Sequence, residues 1–314
     1  STPLALYFIA AWSHRRFYIR GYSRTQEGRH GKSLLMHLRD WWIKRSVKRT
    51  GTLEDRLAEL ERDTRRPFGA LGQLIIKDRV IFTRDASQWS NILVIVSLMT
   101  IYLVNYKNFS AFSDIKLMGD VGLYFFNLAI CGFVIMALSG RFFFPSISLE
   151  GRSFWMLLQA PISLERMLVG KWLGAMLPVV VVGQLMIWAS NVLVLQTWFY
   201  MLAGCLLVLM MTLTIAALAV GFGAVYPQFH NPNAASIASS FGSVIFMLLS
   251  IFYMLLFLAG AFRVVSVVGA WFERGKAINL YWFDYAGLGF SVLLSVIVIT
   301  VSIKLGATSL RRRL

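Results

Sequence analysis

Six stretches of the chain carry no Asp, Glu, Lys, Arg or His: 89–106, 121–140, 172–195, 198–225, 236–262 and 285–303. Each is close to the ~20 apolar residues that an α-helix needs to cross a bilayer. A barrel strand would alternate polar and apolar positions, whereas VIVSLMTIYLV and LMMTLTIAALAV are apolar on every face. The pattern predicts six transmembrane helices, which satisfy their own backbone hydrogen bonds in lipid. Ahead of them the periodicity is amphipathic. In residues 33–49, Leu34, Leu35, Leu38, Trp41 and Trp42 share one arc, with Arg39, Lys44 and Lys48 outside it. That reads as an interfacial helix with tryptophans at the headgroups, or as a helix packed on another chain. In TLEDRLAELERD, Thr52 and Asp55 form a capping box and Leu53, Leu57 and Leu60 line one face of a short helix. Leu71, Leu74, Ile75, Ile81 and Phe82 form a further apolar arc that also holds Asp78 and Asp85. An acid in an apolar stripe requires a cation or a hydrogen-bond donor, expected from Arg79, Arg84 or a neighbouring element.

Composition adds direction to this pattern. Of 314 residues, 57% are hydrophobic and 15% charged, with a mean hydropathy of +0.64, which rules against a water-soluble domain. The net charge of +16 would suit a nucleic-acid module, but such a module is not this apolar, and no nucleic-acid partner is expected. With both termini on one side, the segments on that side hold 26 Lys and Arg, against 5 (Lys107, Lys116, Arg263, Arg274 and Lys276) on the other. The positive-inside rule then places both ends in the cytoplasm, as expected for a multi-pass protein of the bacterial inner membrane. Trp271, Tyr281 and Trp282 fit an aromatic belt, and residues 263–284 read as short helices in the outer leaflet. Three regions follow: an apolar helix end at 1–12, echoing the C-terminal VSIKLGATSLRRRL and suggesting a preceding half; a basic cytoplasmic region at 13–88; and a six-span domain at 89–314.

Signals for catalysis are weak. GRHGKS, Gly28–Ser33, resembles the end of a phosphate loop, but the first glycine of that motif is replaced by Gln26 and no apolar strand precedes it. No two of His14, His30, His37 and His230 have the i, i+4 spacing of a helical metal site, and G-x-S-x-G is absent. Cys131 and Cys205 lie inside apolar runs, as small hydrophobes do. No catalytic, cofactor-binding or metal-ligating residue is expected from these patterns.

The longest cytoplasmic loop between spans is FFFPSISLEGRSFWMLLQAPISLERMLVGKWL, Phe142 to Leu173. It has an acid, an apolar helix, a break at Pro161, and a cation-bearing turn that runs into a span. This string resembles the coupling helix of type 2 ABC exporter permeases: an acid, a Leu-rich turn, Pro-Val/Ile-Ser, then Gly-Lys entering the third span. Glu150, Leu157, Leu158, Pro161, Ile162, Ser163, Gly170 and Lys171 match, whereas Gly151 and Arg152 replace the usual Gly-Thr. The wording FP..SLEGR.FW, with KDRVIFTRDASQW, is similar to a less characterised branch of ABC exporters. The resemblance covers residues 68–314.

The resemblance implies a permease subunit that exports an amphipathic or lipid-like substrate. A separate ATP-binding-cassette ATPase would dock on 148–171, and a second permease half or copy would complete the path. ATP and Mg would then sit on that partner, with no hydrolysis by this chain. The coupling residues implied are Glu150, Gly151, Arg152, Phe154, Trp155, Pro161, Ser163, Arg166 and Lys171. Arg152 and Arg166 offer charge-assisted bonds to an acidic cleft, and Phe154 and Trp155 offer apolar anchors. The alternative for the loop is a plain interfacial anchor to membrane lipids. The alternative for the protein is an ATPase-independent secondary transporter or channel, but the spans hold none of the Asp, Glu or His that proton coupling uses. Asn105, Asn127 and Asn191 are as suited to interhelical hydrogen bonding as to sodium.

Overall fold

The structure is a computed structural model that describes residues 120–159, 162–174, 176–193, 197–231, 233–274 and 282–313, together with Gly72, Leu74, Ile75, Asp78, Ser97, Met99, Thr100 and Tyr102. The described residues are helical, with no strand among them. In chain order the elements are α1 (Asp120–Phe142), 3-10 turns at Phe144–Ser146 and Ser148–Ser153, α2 (Phe154–Gln159), α3 (Leu164–Gly174), α4 (Met176–Leu193), α5 (Trp198–Val225), α6 (Ala234–Ala238), α7 (Phe241–Arg274) and α8 (Trp282–Arg313). Among the described residues five helices, α1, α4, α5, α7 and α8, are long and apolar enough to cross a membrane. The chain is therefore a membrane protein. The span expected at 89–106 contributes four described residues, Ser97, Met99, Thr100 and Tyr102, all helical. The amphipathic segments at 33–49 and 52–63 lie outside the described residues.

The bundle is built around α5, which packs on α1, α4, α7 and α8. Its most apolar stretch is 61% buried, against 17% for α8, which identifies α5 as the centre and α8 as a peripheral helix. Lipid provides little drive for two apolar helices to associate, so the sequence supplies small residues that let backbones approach and polar residues that bond across helices. The run Ala216, Ala217, Ala219, Gly221, Gly223 and Ala224 on α5 serves the first purpose, and all six are buried. A Cβ on Gly306 of α8 would lie 3.0 Å from the Ala224 Cβ and 3.1 Å from the Gly221 carbonyl oxygen. Asn127 serves the second purpose. Its Nδ2 donates to Ser190 Oγ at 2.9 Å and to Asn191 Oδ1 at 3.4 Å, while its Oδ1 accepts from the Tyr102 hydroxyl at 2.5 Å. Asn127 and Asn191 thus bond helix to helix. Tyr253 and Ser295 join α7 to α8 at 2.8 Å.

Helix boundaries depart from the expected spans where apolar composition could not mark them. The stretch expected at 172–195 is helical in its described residues as far as Leu193, across the end of α3 and the whole of α4, and the helix begins earlier than expected, at Leu164. The outer excursion expected as short helices from 263 is instead continuous with α7 as far as Arg274. The reason is local: Arg263 does not interrupt the helix, because its Nε donates to Asp284 Oδ1 at 3.0 Å, and the carboxylate sits in the first turn of α8. A helix N-terminus favours a carboxylate there. Cys131 and Cys205 are free thiols, the first buried.

Candidate functional site, the elbow between two spans

At the end of α1 the apolar run continues without a helix. Phe142, Phe143, Phe144 and Ile147 are all buried, and Pro145 fixes the backbone within the first 3-10 segment. The Ser146 hydroxyl donates to the Phe143 carbonyl at 2.6 Å and closes the first of these turns. Gly151 then reverses the chain at φ 50°, ψ −128°, a conformation open to glycine and strained for other residues. From there α2 leads to Gln159 and α3 restarts at Leu164, with Ser163 Oγ accepting from the Arg166 N–H at 3.4 Å. Gly151→Ala should destabilise this turn by about 1–3 kcal/mol. The expected readout is faster proteolysis between Phe143 and Leu164 in the folded protein, and cleavage at the parental rate would remove the strain assigned to Gly151.

The elbow is tied down at two places. Ser148 Oγ accepts from the Gln228 backbone N–H at 3.0 Å, and the Phe154 ring lies 4.9 Å from that of Phe229, so the elbow is fastened to the α5–α6 connection. Behind it lies the electrostatic core. Lys171 is 5% exposed, and its Nζ donates to Asp78 Oδ1 at 3.1 Å and to Glu150 Oε1. Gly174 leaves room for this, since a Cβ there would come within 3.2 Å of Asp78 Cβ. A buried ammonium between two carboxylates is stable only while all three groups remain together. One contact set therefore joins the helical residues around Asp78, the elbow, and α3. Trp172 extends the hold to the centre of the bundle, with Nε1 donating to the Leu213 carbonyl of α5 at 3.1 Å.

The expected site residues divide accordingly. Glu150, Gly151, Phe154 and Lys171 come together in the interior of the elbow. Ser163 and Arg166 are exposed on its surface. The side chains of Arg152 and Trp155, and all of Pro161, lie outside the described residues. The cation expected for Asp78 comes from the neighbouring element, as Lys171. Gln228, Phe229 and Gly223 were not expected at the elbow, and their only sequence signal is proximity to the Pro227 turn.

The chain belongs to a family described as "Putative ATP-binding cassette", whose profile matches residues 1–313. No curated protein matches the chain, and no solved structure does. The family match overturns four expectations: a permease subunit identity, an exporter function driven by a separate ATPase, the absence of ATP hydrolysis by this chain, and ATP with Mg held by a partner alone. The match names an ATP-binding cassette for the chain itself. The physical reason for the error lies in the loop motif. A helix break, an acid and a cation entering a span are what any elbow at a membrane surface needs, so 148–171 does not discriminate between components of such a system. Among the described residues there is no strand. Gly28–Ser33 lies outside them. No group of three or more potential metal ligands occurs among the described residues.

Proposed function

We propose that the chain is a membrane-embedded member of an ABC transport system. In this reading the elbow from Ser148 to Lys171 is the joint through which nucleotide-driven movement at the cytoplasmic face reaches the membrane helices. The observation that supports the reading is the buried Lys171 cluster, which ties three segments together. Glu150, Gly151, Phe154 and Lys171 keep the shape of the joint. Ser163 and Arg166 present its working surface, and the same role is proposed for Arg152, Trp155 and Pro161. Two-state elements of this kind pass on small displacements because packed interfaces do not deform continuously.

The partition of 26 to 5 Lys and Arg supports a chain with six spans, the first at 89–106, both ends in the cytoplasm, in a bacterial inner membrane. Residues 13–88 form its basic cytoplasmic region and 89–314 its membrane domain. A second copy or half completes the assembly within the lipid.

One labelling experiment tests both orientation and role. In a background with Cys131 and Cys205 replaced by alanine, Arg166→Cys should react with an impermeant thiol reagent in inside-out vesicles. Lys276→Cys should react only in intact cells. ATP should change the labelling rate of Arg166→Cys several-fold. The opposite sidedness would overturn the topology, and a rate indifferent to ATP would overturn the joint.

A further inference from the structure

Two unlike seams hold α8. Over its N-terminal half it meets α7 once per helical turn. Arg263 Nε donates to Asp284 Oδ1 at 3.0 Å. A Cβ on Gly260 would lie 2.7 Å from the Gly287 carbonyl oxygen, so the two backbones touch there. Ser291 Oγ donates to the Phe257 carbonyl at 2.9 Å, and the Tyr253 and Ser295 hydroxyls share a bond of 2.8 Å. Each step of three or four residues back along α7 is matched by a step of three or four forward along α8, the register of an antiparallel helix pair. The side chains of Tyr253, Asp284, Ser291 and Ser295 are buried. Breaking this seam would strand their polar groups away from water, which is costly.

Beyond Ser295 the partner changes, and so does the chemistry. A Cβ on Gly221 of α5 would come 2.5 Å from the Ser302 carbonyl oxygen, and one on Gly306 would come 3.0 Å from Ala224 Cβ of α5 and 3.2 Å from Leu168 Cδ1 of α3. The Thr300 and Thr308 hydroxyls bond back into α8 itself, and among the described residues no hydrogen bond or ion pair joins this half of α8 to another helix. A seam of small residues sets how closely two helices approach, but a shift along it breaks no bond. Val301 and Leu305, on the other side of α8, are exposed, so no described neighbour opposes the shift. We infer that α8 is a clamped arm. Its N-terminal half is fixed to α7, and its C-terminal half swings over α5 and carries Gly306 along Leu168 at the elbow. The inference stands on the two seams and is independent of the role proposed for 148–171.

The test uses the full chain in nanodiscs, with Cys131 and Cys205 replaced by alanine and spin labels carried on p-acetylphenylalanine at exposed positions. Leu255 and Leu293 stand on α7 and α8 within the clamp, and Leu248 and Val301 stand on the same helices beyond it. The distance distribution between labels at 248 and 301 should be about twice as wide as that between 255 and 293. Ala224→Cys with Gly306→Cys, oxidised after folding, should form a disulfide, because a small outward shift brings the two Cβ atoms to the required spacing. That bond should narrow the wide distribution to the width of the other. Ser291→Ala with Ser295→Ala removes two bonds of the clamp and should widen the distribution between 255 and 293. Equal widths in the parent would overturn the arm. So would a disulfide that leaves the wide distribution unchanged, which would trace the width to the labels, or a cysteine pair that fails to cross-link, which would show that the two helices do not meet. A clamp variant with the parental width would remove the fixed end.

Discussion

Lys171→Met should lower the stability of the chain by about 3–5 kcal/mol, the usual consequence of removing one partner from a buried ion pair. The variant leaves Asp78 and Glu150 facing each other, with side chains only 14% and 13% exposed, and with the ammonium that separates them gone. Screening by salt gives little relief to groups at that depth. Methionine matches the volume of the lysine stem, so lost packing adds little to the effect. A thermal melt in detergent followed by tryptophan fluorescence should show the loss. The triple variant Lys171→Met, Asp78→Asn, Glu150→Gln should recover much of it, because neutral groups of the same shape need no counter-ion. The triple variant should still lack the ATP-dependent change in labelling at Arg166→Cys, since its three segments are no longer held by charge. A melt of Lys171→Met within a degree of the parent would show that the cluster does not stabilise the fold. A triple variant that responds to ATP like the parent would show that the cluster does not set the joint.

Much of the membrane architecture was legible because lipid imposes a simple rule on sequence. The span expected at 198–225 coincides with α5, Trp198–Val225, since the helix starts after Thr197 and stops before the Pro227 turn. The ends of α7 and α8 were less legible. A charge-free criterion stops at Phe262, yet Arg263 continues the helix by pairing with an acid 21 positions away, which composition does not reveal. The elbow shows the same division. Asp78 announced its need for a cation through its place in an apolar stripe, and the solution came from a lysine 93 residues on. An acid and a cation each placed in an apolar stretch are candidates for each other, but sequence spacing alone does not pair them. Glu150 and Lys171 were both noticed, as surface contacts for another protein, and their burial against each other reverses that emphasis. Phe154, expected as an anchor in a partner's pocket, is 6% exposed and packs on Phe229 within its own chain. The family assignment was least legible, because the loop motif reports mechanics at a membrane surface, whereas the profile match extends over the whole chain.

Gly223→Val should displace the elbow from the centre of the bundle and cost about 3 kcal/mol, at the upper end of ordinary overpacking. A Cβ on Gly223 would fall inside the carbonyl oxygen of Phe144, and it would also meet the Phe144 carbonyl carbon at 3.1 Å and its Cα at 3.3 Å. These are backbone atoms, so no side-chain rotation relieves the contact. Neither side has room to yield: Phe144 is fully buried beside Pro145, and α5 is the most buried helix of the bundle. The smaller Gly223→Ala should show the same direction with a lesser loss. Gly289→Ala on α8 is the matched control, because a Cβ there has nothing within 4 Å and a helical alanine is favoured over glycine by about 0.5–1 kcal/mol. Its melt should therefore equal or exceed that of the parent. The position of the clash separates this effect from a general intolerance of α5. Gly221→Ala presses instead on the backbone of Ser302 in α8, so it should destabilise the α5–α8 seam while leaving proteolysis between Phe143 and Leu164 at the parental rate. Gly223→Val should accelerate that cleavage. If both variants melt like Gly289→Ala, or if only Gly221→Ala exposes the elbow, the close approach of Phe144 to α5 is not what holds the joint in place.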